Sequence, residues 1–178
     1  MITIGDFHIS PIKIEDAWKI CNFAISNEDR LGLYFPKTLE QNLTPTLSKA
    51  FVELKVKQFN LKDEFLFTIK PHQLNEVAGL VYIKELDWEK KQGEFAYAIG
   101  YPFEGKGITS NAVKALSQYA FNDLKLRTLQ IMAHKTNIGS FKVAENCGFK
   151  WVKTLINSFT PTNGVPLNMD LYELHNEK

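Results

Sequence analysis

Cysteine is nearly absent: Cys21 and Cys147 are the only two among 178 residues. Such a pair builds no disulfide framework and has no metal-ligand spacing, which suits a reducing interior. The four histidines, His8, His72, His134 and His175, show no metal-ligand spacing either, so no metal is expected. No apolar run approaches the roughly 18 residues of a membrane span, and no secretory h-region opens the chain. The expectation is a cytoplasmic protein without a membrane partner, in which the sequon Asn42-Leu43-Thr44 stays unmodified. Neither sign of charge dominates, with 21 Lys and Arg against 20 Asp and Glu. That balance gives no bulk attraction to nucleic acid or anionic lipid. Repeats, low-complexity tracts and linkers are missing as well. At this length one domain over residues 1–178, with a substantial core, is expected.

What is present is an alternation of short apolar runs and helical patterns. Phe7 to Ser10 reads as a strand, Glu15 to Ala24 as a helix, and Ser26 to Leu43 as an irregular stretch rich in turn residues. Leu47, Phe51, Leu54 and Val56 mark a helix over residues 45–60. Three strands follow at 64–70, 77–86 and 93–101, joined by polar turns around Asn75 and Lys90. Residues 108–122 form a helix with Val113, Leu116, Ala120 and Phe121 on one face. Then come a strand at 127–134, a helix opened by Asn137, and a final hairpin. Hairpins first and helical crossovers later imply an α+β fold with a mixed sheet.

The most informative segment is EFAYAIGYPFEGKGITSNAVKALSQYAF, from Glu94 to Phe121. A strand carrying one carboxylate meets Gly105-Lys106-Gly107, and a helix begins at once. Glycines at such a junction let backbone approach a ligand closely, and the unpaired N–H groups of a helix start attract anions. The dinucleotide pattern GxGxxG fits Gly105 and Gly107 but meets Ser110 at its third glycine. The P-loop pattern fits Gly100, Gly105 and Lys106, but Gly107 replaces the hydroxyl that holds magnesium.

The second half supplies a third reading. Asn137 suits a helix N-cap and Gly148 the left-handed position after the helix, with Phe149 starting a strand. Together these segments resemble the Gcn5-related N-acetyltransferase superfamily, and within it the RimJ/RimL-type protein N-terminal acetyltransferases. Their fingerprint, roughly EIGYWLxPxxxGKGxxTEA, lies without gaps over Glu94 to Ala112. Their later pattern, NxxSxxVxExxGF, lies over Asn137, Ser140, Val143, Glu145, Gly148 and Phe149. The opening LRPLxxEDA is similar to Ile9 to Ala17, with Ser10 in place of Arg. Asn163-Gly164 and Met169 to Tyr172 resemble the branch's closing hairpin, with Asn168 where Asp is common.

The resemblance implies an acetyl-CoA-dependent N-acetyltransferase without a metal, on a mostly antiparallel mixed sheet with a splayed strand pair. It implies that the backbone of Gly105, Lys106, Gly107, Ile108, Thr109 and Ser110 meets the coenzyme A pyrophosphate. The pantetheine arm would run along Ala98 and Ile99, with Asn137 as a further partner. Glu94 is then the base, directly or through water; otherwise it is a solvated carboxylate beside the Lys90-Lys91-Gln92 turn. The Tyr that many superfamily members use as general acid is replaced by Ala144. Ser140, which matches a Ser of the branch, either hydrogen-bonds the coenzyme sulfur or supports the helix start. Lys106 offsets phosphate charge or is a solvated loop lysine. Cys147 reads as a packed thiol, and Tyr34, Phe35 and Lys37 as acceptor-cleft residues or local packing. The favoured acceptor is a protein N-terminal α-amine of ribosomal type. Open alternatives are a small-molecule amine (polyamine, amino sugar or aminoglycoside) and a non-catalytic acyl-CoA-binding module. Assembly into a homo-oligomer is left open.

Overall fold

Eight strands carry the fold: β1 (Ile2–Ile4), β2 (Phe7–Pro11), β3 (Phe65–Pro71), β4 (Gly79–Asp87), β5 (Gln92–Ile99), β6 (Thr128–Ala133), β7 (Lys150–Phe159) and β8 (Leu167–His175). They follow the order β1-β2-β3-β4-β5-β6-β8-β7 in one mixed sheet, flanked by helices. Pairing is antiparallel for β1–β2, β2–β3, β6–β8 and β7–β8, and parallel for β5–β6. The mixed, mostly antiparallel sheet is thus as expected, and β1 is a strand that sequence reasoning missed. The computed structural model describes residues 1–161 and 164–176, so Asn163 of the expected hairpin lies outside the described residues. Among the described residues, no helix is long and apolar enough to cross a membrane. Contacts group the chain into two compact units, Met1–Tyr82 with Tyr97–Ile108, and Ile83–Ala96 with Thr109–Lys178.

The first unit holds α1 (Ala17–Ser26), α2 (Glu28–Tyr34), α3 (Pro36–Glu40) and α4 (Pro45–Leu61). Residues 26–43, expected to be irregular, therefore contain two short helices. Pro36 occupies the first turn of α3, where its missing N–H costs nothing. Each of the two helices buries one residue, Leu31 and Thr38, so no hydrophobic period announces them. In α4, Thr44 caps the start by accepting from the Leu47 N–H, and Phe59 packs edge-on against Phe65 and Phe67 of β3. All seven residues of β3 are buried, Lys70 among them. Its ammonium lies 2.6 Å from the carboxylate of Asp16, which is fully buried. Asp16 also accepts from the Lys13 N–H at 3.1 Å. A buried charge without such partners would be strongly destabilising, so the Asp of the opening motif has a structural task.

In the second unit, α5 (beginning at Ile108 and ending at Asn122) seats Ala112, Val113, Leu116 and Ala120 in the core at 0% exposure. The helix α6 (Ile138–Asn146) is capped by Asn137, whose side chain accepts from the Ser140 N–H at 3.2 Å. Gly148 takes φ +85° just beyond the helix end, and Phe149 then turns inward against Phe95, edge-on at 6.3 Å. These caps match the sequence expectation.

Glycine decides how closely β4 approaches the end of β5. A Cβ at Gly79 would stand 2.8 Å from the Ala98 carbonyl oxygen and 2.9 Å from Ile99 Cδ1. Backbone cannot yield as a flexible side chain does. Gly79→Ala is therefore expected to cost about 1–3 kcal/mol, the usual penalty for overpacking. Urea denaturation checks this; an unchanged midpoint would show that β4 and β5 have slack here.

Candidate active site

The loop expected to meet phosphate is built as the sequence suggests. Gly105 and Gly107 adopt φ +73° and +72°, conformations that L side chains rarely adopt, and beyond the adjoining residues no atom lies within 4 Å of either ideal Cβ. The backbone is thus bare on both sides of Lys106, and α5 starts at the next residue, Ile108. The first-turn N–H groups of a 15-residue helix have no intrahelical partner. Thr109 and Ser110, in that first turn, are largely buried. Lys106 turns back: its ammonium donates to the Pro102 carbonyl at 2.8 Å and lies 5.9 Å from the Phe103 ring centre.

Upstream of the loop, the last residues of β5 are held from several directions. The Ala98 carbonyl faces Gly79, and the Ile99 carbonyl accepts from Arg30 Nη1 at 2.7 Å. Gly100 N–H donates to Ala78 O at 2.8 Å. Tyr34 is half-buried at the end of α2. Phe35, directly after it, stacks on Tyr82 with centroids 6.3 Å apart and planes 16° apart, which is the local-packing arrangement. Tyr82 is buried, donating to or accepting from Thr38 Oγ1 at 3.1 Å, and burial raises its phenol pKa. Lys37 is exposed.

In the second unit, Glu94 occupies an inner position of β5 with 7% of its surface exposed. The alternative of a solvated carboxylate at the turn is thereby corrected: the turn ends at Lys91, and Glu94 is inside the sheet. Its carboxylate pairs with Lys84 of β4 at 2.9 Å. Lys84 was not singled out from the sequence, although hairpin arithmetic around Lys90 would have placed the two strands side by side. Glu94 also sits opposite Gln130 in the parallel register of β5 on β6. That register ends at the pair Phe95–Ile131, whereas β5 itself runs on to Ile99.

Asn137 and Ser140 are brought together by the cap of α6, whereas Ala144 is fully buried and offers no proton. At the far end of α6, the Cys147 thiol donates to the Ser110 carbonyl at 3.3 Å and so ties α6 to the first turn of α5. Burial pushes this thiol up to about 11, against the opposing influence of nearby Lys114. A nucleophilic cysteine needs the reverse environment. His134 bonds with Thr136 Oγ1 at 2.6 Å. Among the described residues, no group of three or more His, Cys, Asp or Glu could hold a metal ion. The bare glycine backbone and the unpaired helix start suit a phosphate-bearing ligand such as acetyl-CoA.

Comparison with known proteins bears on this arrangement. The family described as "Acetyltransferase (GNAT) domain" matches residues 6–150. A Bacillus subtilis (strain 168) protein named "Putative ribosomal N-acetyltransferase YdaF" is 28% identical over 143 residues, covering 76% of this chain and 73% of that protein. The crystal structure of ribosomal-protein-S5-alanine acetyltransferase from Vibrio fischeri superposes with a TM-score of 0.92 at 21% identity, over 99% of this chain and 97% of that one. Spermidine N-acetyltransferase from Vibrio cholerae, crystallised with CoA and spermine, gives 0.78 at 21% identity, over 98% of each chain.

The Cys147 environment has a measurable consequence. The folded chain holds the thiol proton more tightly than an ordinary thiol of pKa 9.0 would. The linked contribution to stability is therefore full below pH 9 and is lost as the pH climbs through about 11. Alkylation of Cys147 by iodoacetamide, followed by peptide mass, should stay slow at pH 8 and accelerate only toward pH 11. Fast labelling of the folded protein at pH 8 would place the thiol in a different environment.

Proposed function

The chain belongs to the acetyltransferase (GNAT) domain family and is an N-acetyltransferase with acetyl-CoA as its donor, and we propose that its acceptor is the α-amino group of a protein. The match over residues 6–150 runs through both compact units, which supports reading them as one acetyltransferase domain.

The observation that carries the acceptor reading is the Glu94–Lys84 pair. A polyamine brings several positive charges and calls for several carboxylates without competing cations. Here the one carboxylate assigned to the chemistry is already matched by a lysine 2.9 Å away. A single α-amine makes a smaller demand. Its pKa near ~8, against ~10.4 for a lysine-like amine, leaves it partly neutral at physiological pH. The names of the Bacillus subtilis relative and the Vibrio fischeri structure point the same way, while that of the Vibrio cholerae structure points to spermidine.

Each residue then has a task. Backbone N–H groups of residues 105–110 hold the pyrophosphate, with Gly105 and Gly107 keeping side chains out of the way. The end of β5, at Ala98 and Ile99, receives the pantetheine arm beyond the point where the β6 register stops; an N–H there also stabilises charge on the acetyl oxygen. Asn137 hydrogen-bonds the same arm while capping α6. Glu94 takes the proton that the amine sheds as its nitrogen bonds the acetyl carbon. Ser140 meets the sulfur as the carbon–sulfur bond breaks, and that hydroxyl or a water supplies the thiol proton. A thiolate with a pKa near ~8.5 leaves with little help, which makes Ala144 tolerable. Tyr34 borders the acceptor, next to Phe35, whose ring is held by Tyr82.

Thiol release from acetyl-CoA, measured across peptide N-termini, ribosomal proteins, spermidine and an aminoglycoside, tests this reading. Peptide or ribosomal-protein α-amines should turn over fastest; spermidine turning over faster would overturn the acceptor. On the best acceptor, Glu94→Gln should lower turnover at pH 7 by roughly 10²–10⁴-fold, with recovery at alkaline pH where the amine is already neutral. Full activity of that variant at pH 7 would remove Glu94 from the reaction. Absence of turnover on every amine, with acetyl-CoA still bound, would favour the binding-module alternative.

A further inference from the structure

Arg30 lies in α2, far from the glycine loop in sequence, yet it holds the segment that delivers the loop. Nη1 donates to the Ile99 carbonyl at 2.7 Å, and Nη2 donates to Glu104 Oε2, also at 2.7 Å. The centre of the guanidinium lies 4.3 Å from the Tyr101 ring centroid. One turn earlier, buried Asn27 accepts from the Tyr101 N–H at 3.1 Å and donates to the Phe23 carbonyl at 2.8 Å. Ile99, Gly100, Tyr101 and Glu104 are all tied down, and the next residue is Gly105, with open space around it. The bracket ends where the phosphate loop begins.

We infer that Arg30, with Glu104 as its second anchor, is a positioning residue that aims the glycine loop at the acetyl-CoA pyrophosphate. This rests on the reading that residues 105–110 hold that pyrophosphate. A planar guanidinium can bridge a carbonyl and a carboxylate at once, which an ammonium cannot do with the same geometry. The two anchors lie at opposite ends of the turn, so the fork fixes its span. Without it, the turn preceding two left-handed glycines has more conformations, and ordering them is added to the work of binding. The charge of Glu104 is otherwise out of place. A carboxylate one residue before an anion site repels the ligand, and this side chain is 55% exposed.

That apparent conflict makes the test sharp. If charge alone mattered, Glu104→Ala would tighten acetyl-CoA, because it removes a negative charge beside the site. If Glu104 anchors the fork, the same change weakens binding. The expected result by calorimetry is a Kd for acetyl-CoA about tenfold higher in Glu104→Ala, the scale of one hydrogen bond to a charged group. Arg30→Lys, which keeps the charge and loses the fork, should also weaken binding about tenfold, and the Michaelis constant for acetyl-CoA should rise more than turnover falls. Glu104 is a surface residue, so its variant folds even if an Arg30 variant does not. Equal or tighter binding by Glu104→Ala, beside a wild-type chain that binds acetyl-CoA, overturns the role of Arg30 alone. A wild-type chain that fails to bind acetyl-CoA overturns the loop reading and this inference together.

Discussion

A helix start can receive an anion only if the chain reaches it without a side chain in the way. Here that condition is met by two residues, Gly105 and Gly107, both in the left-handed region and both facing open space. Any L residue at either place would be strained before a ligand arrived. The first unit fixes the approach through Gly79, Asn27 and Arg30. In the second unit, Ala112, Val113 and Leu116 of α5 are fully buried. Cys147 adds a thiol hydrogen bond to the first turn of that helix, which ties α6 to it.

Buried charge follows the same economy in each unit. Asp16 and Lys70 satisfy one another inside the first unit, and Glu94 and Lys84 inside the second. In a low-dielectric interior a lone carboxylate is expensive, so each partner is a condition for keeping the other. The two pairs differ in what lies beyond them. Asp16 is fully enclosed and also holds a backbone N–H, as a structural group should. Lys84 keeps 31% of its side chain in solvent, so the Glu94 pair is less enclosed than the Asp16 pair.

Several features were legible because their causes are local. The α5 start follows from the glycine loop and from the spacing of Val113, Leu116 and Ala120; the α6 cap follows from Asn137 and its end from Gly148. The three central strands show period-two or continuous apolar runs and were placed within a residue or two. What escaped was held by distant contacts. The helix α2 contains Gly32 and buries only Leu31, and its Arg30 reaches Ile99, 69 residues further on. No local pattern encodes such a bond. Phe35 looked exposed because its stacking partner Tyr82 belongs to another part of the chain. Glu94 was read on a strand, but the alternative of a solvated carboxylate stayed open because lysines precede it, and its burial depends on the strand pairing that puts Lys84 beside it. The local geometry of the glycine loop and the α6 cap was therefore readable, and the distant groups packed against these segments were not.

The proposed function requires backbone N–H groups of residues 105–110 and the end of β5 to hold acetyl-CoA. Amide chemical shifts of the ¹⁵N-labelled chain, followed during titration with acetyl-CoA, address those groups one by one. The largest shifts should fall on Gly105, Gly107, Ile108, Thr109, Ser110, Ala98 and Ile99, with Asn137 next. Saturable binding whose shifts cluster elsewhere and leave the Gly105–Ser110 amides unmoved would contradict it.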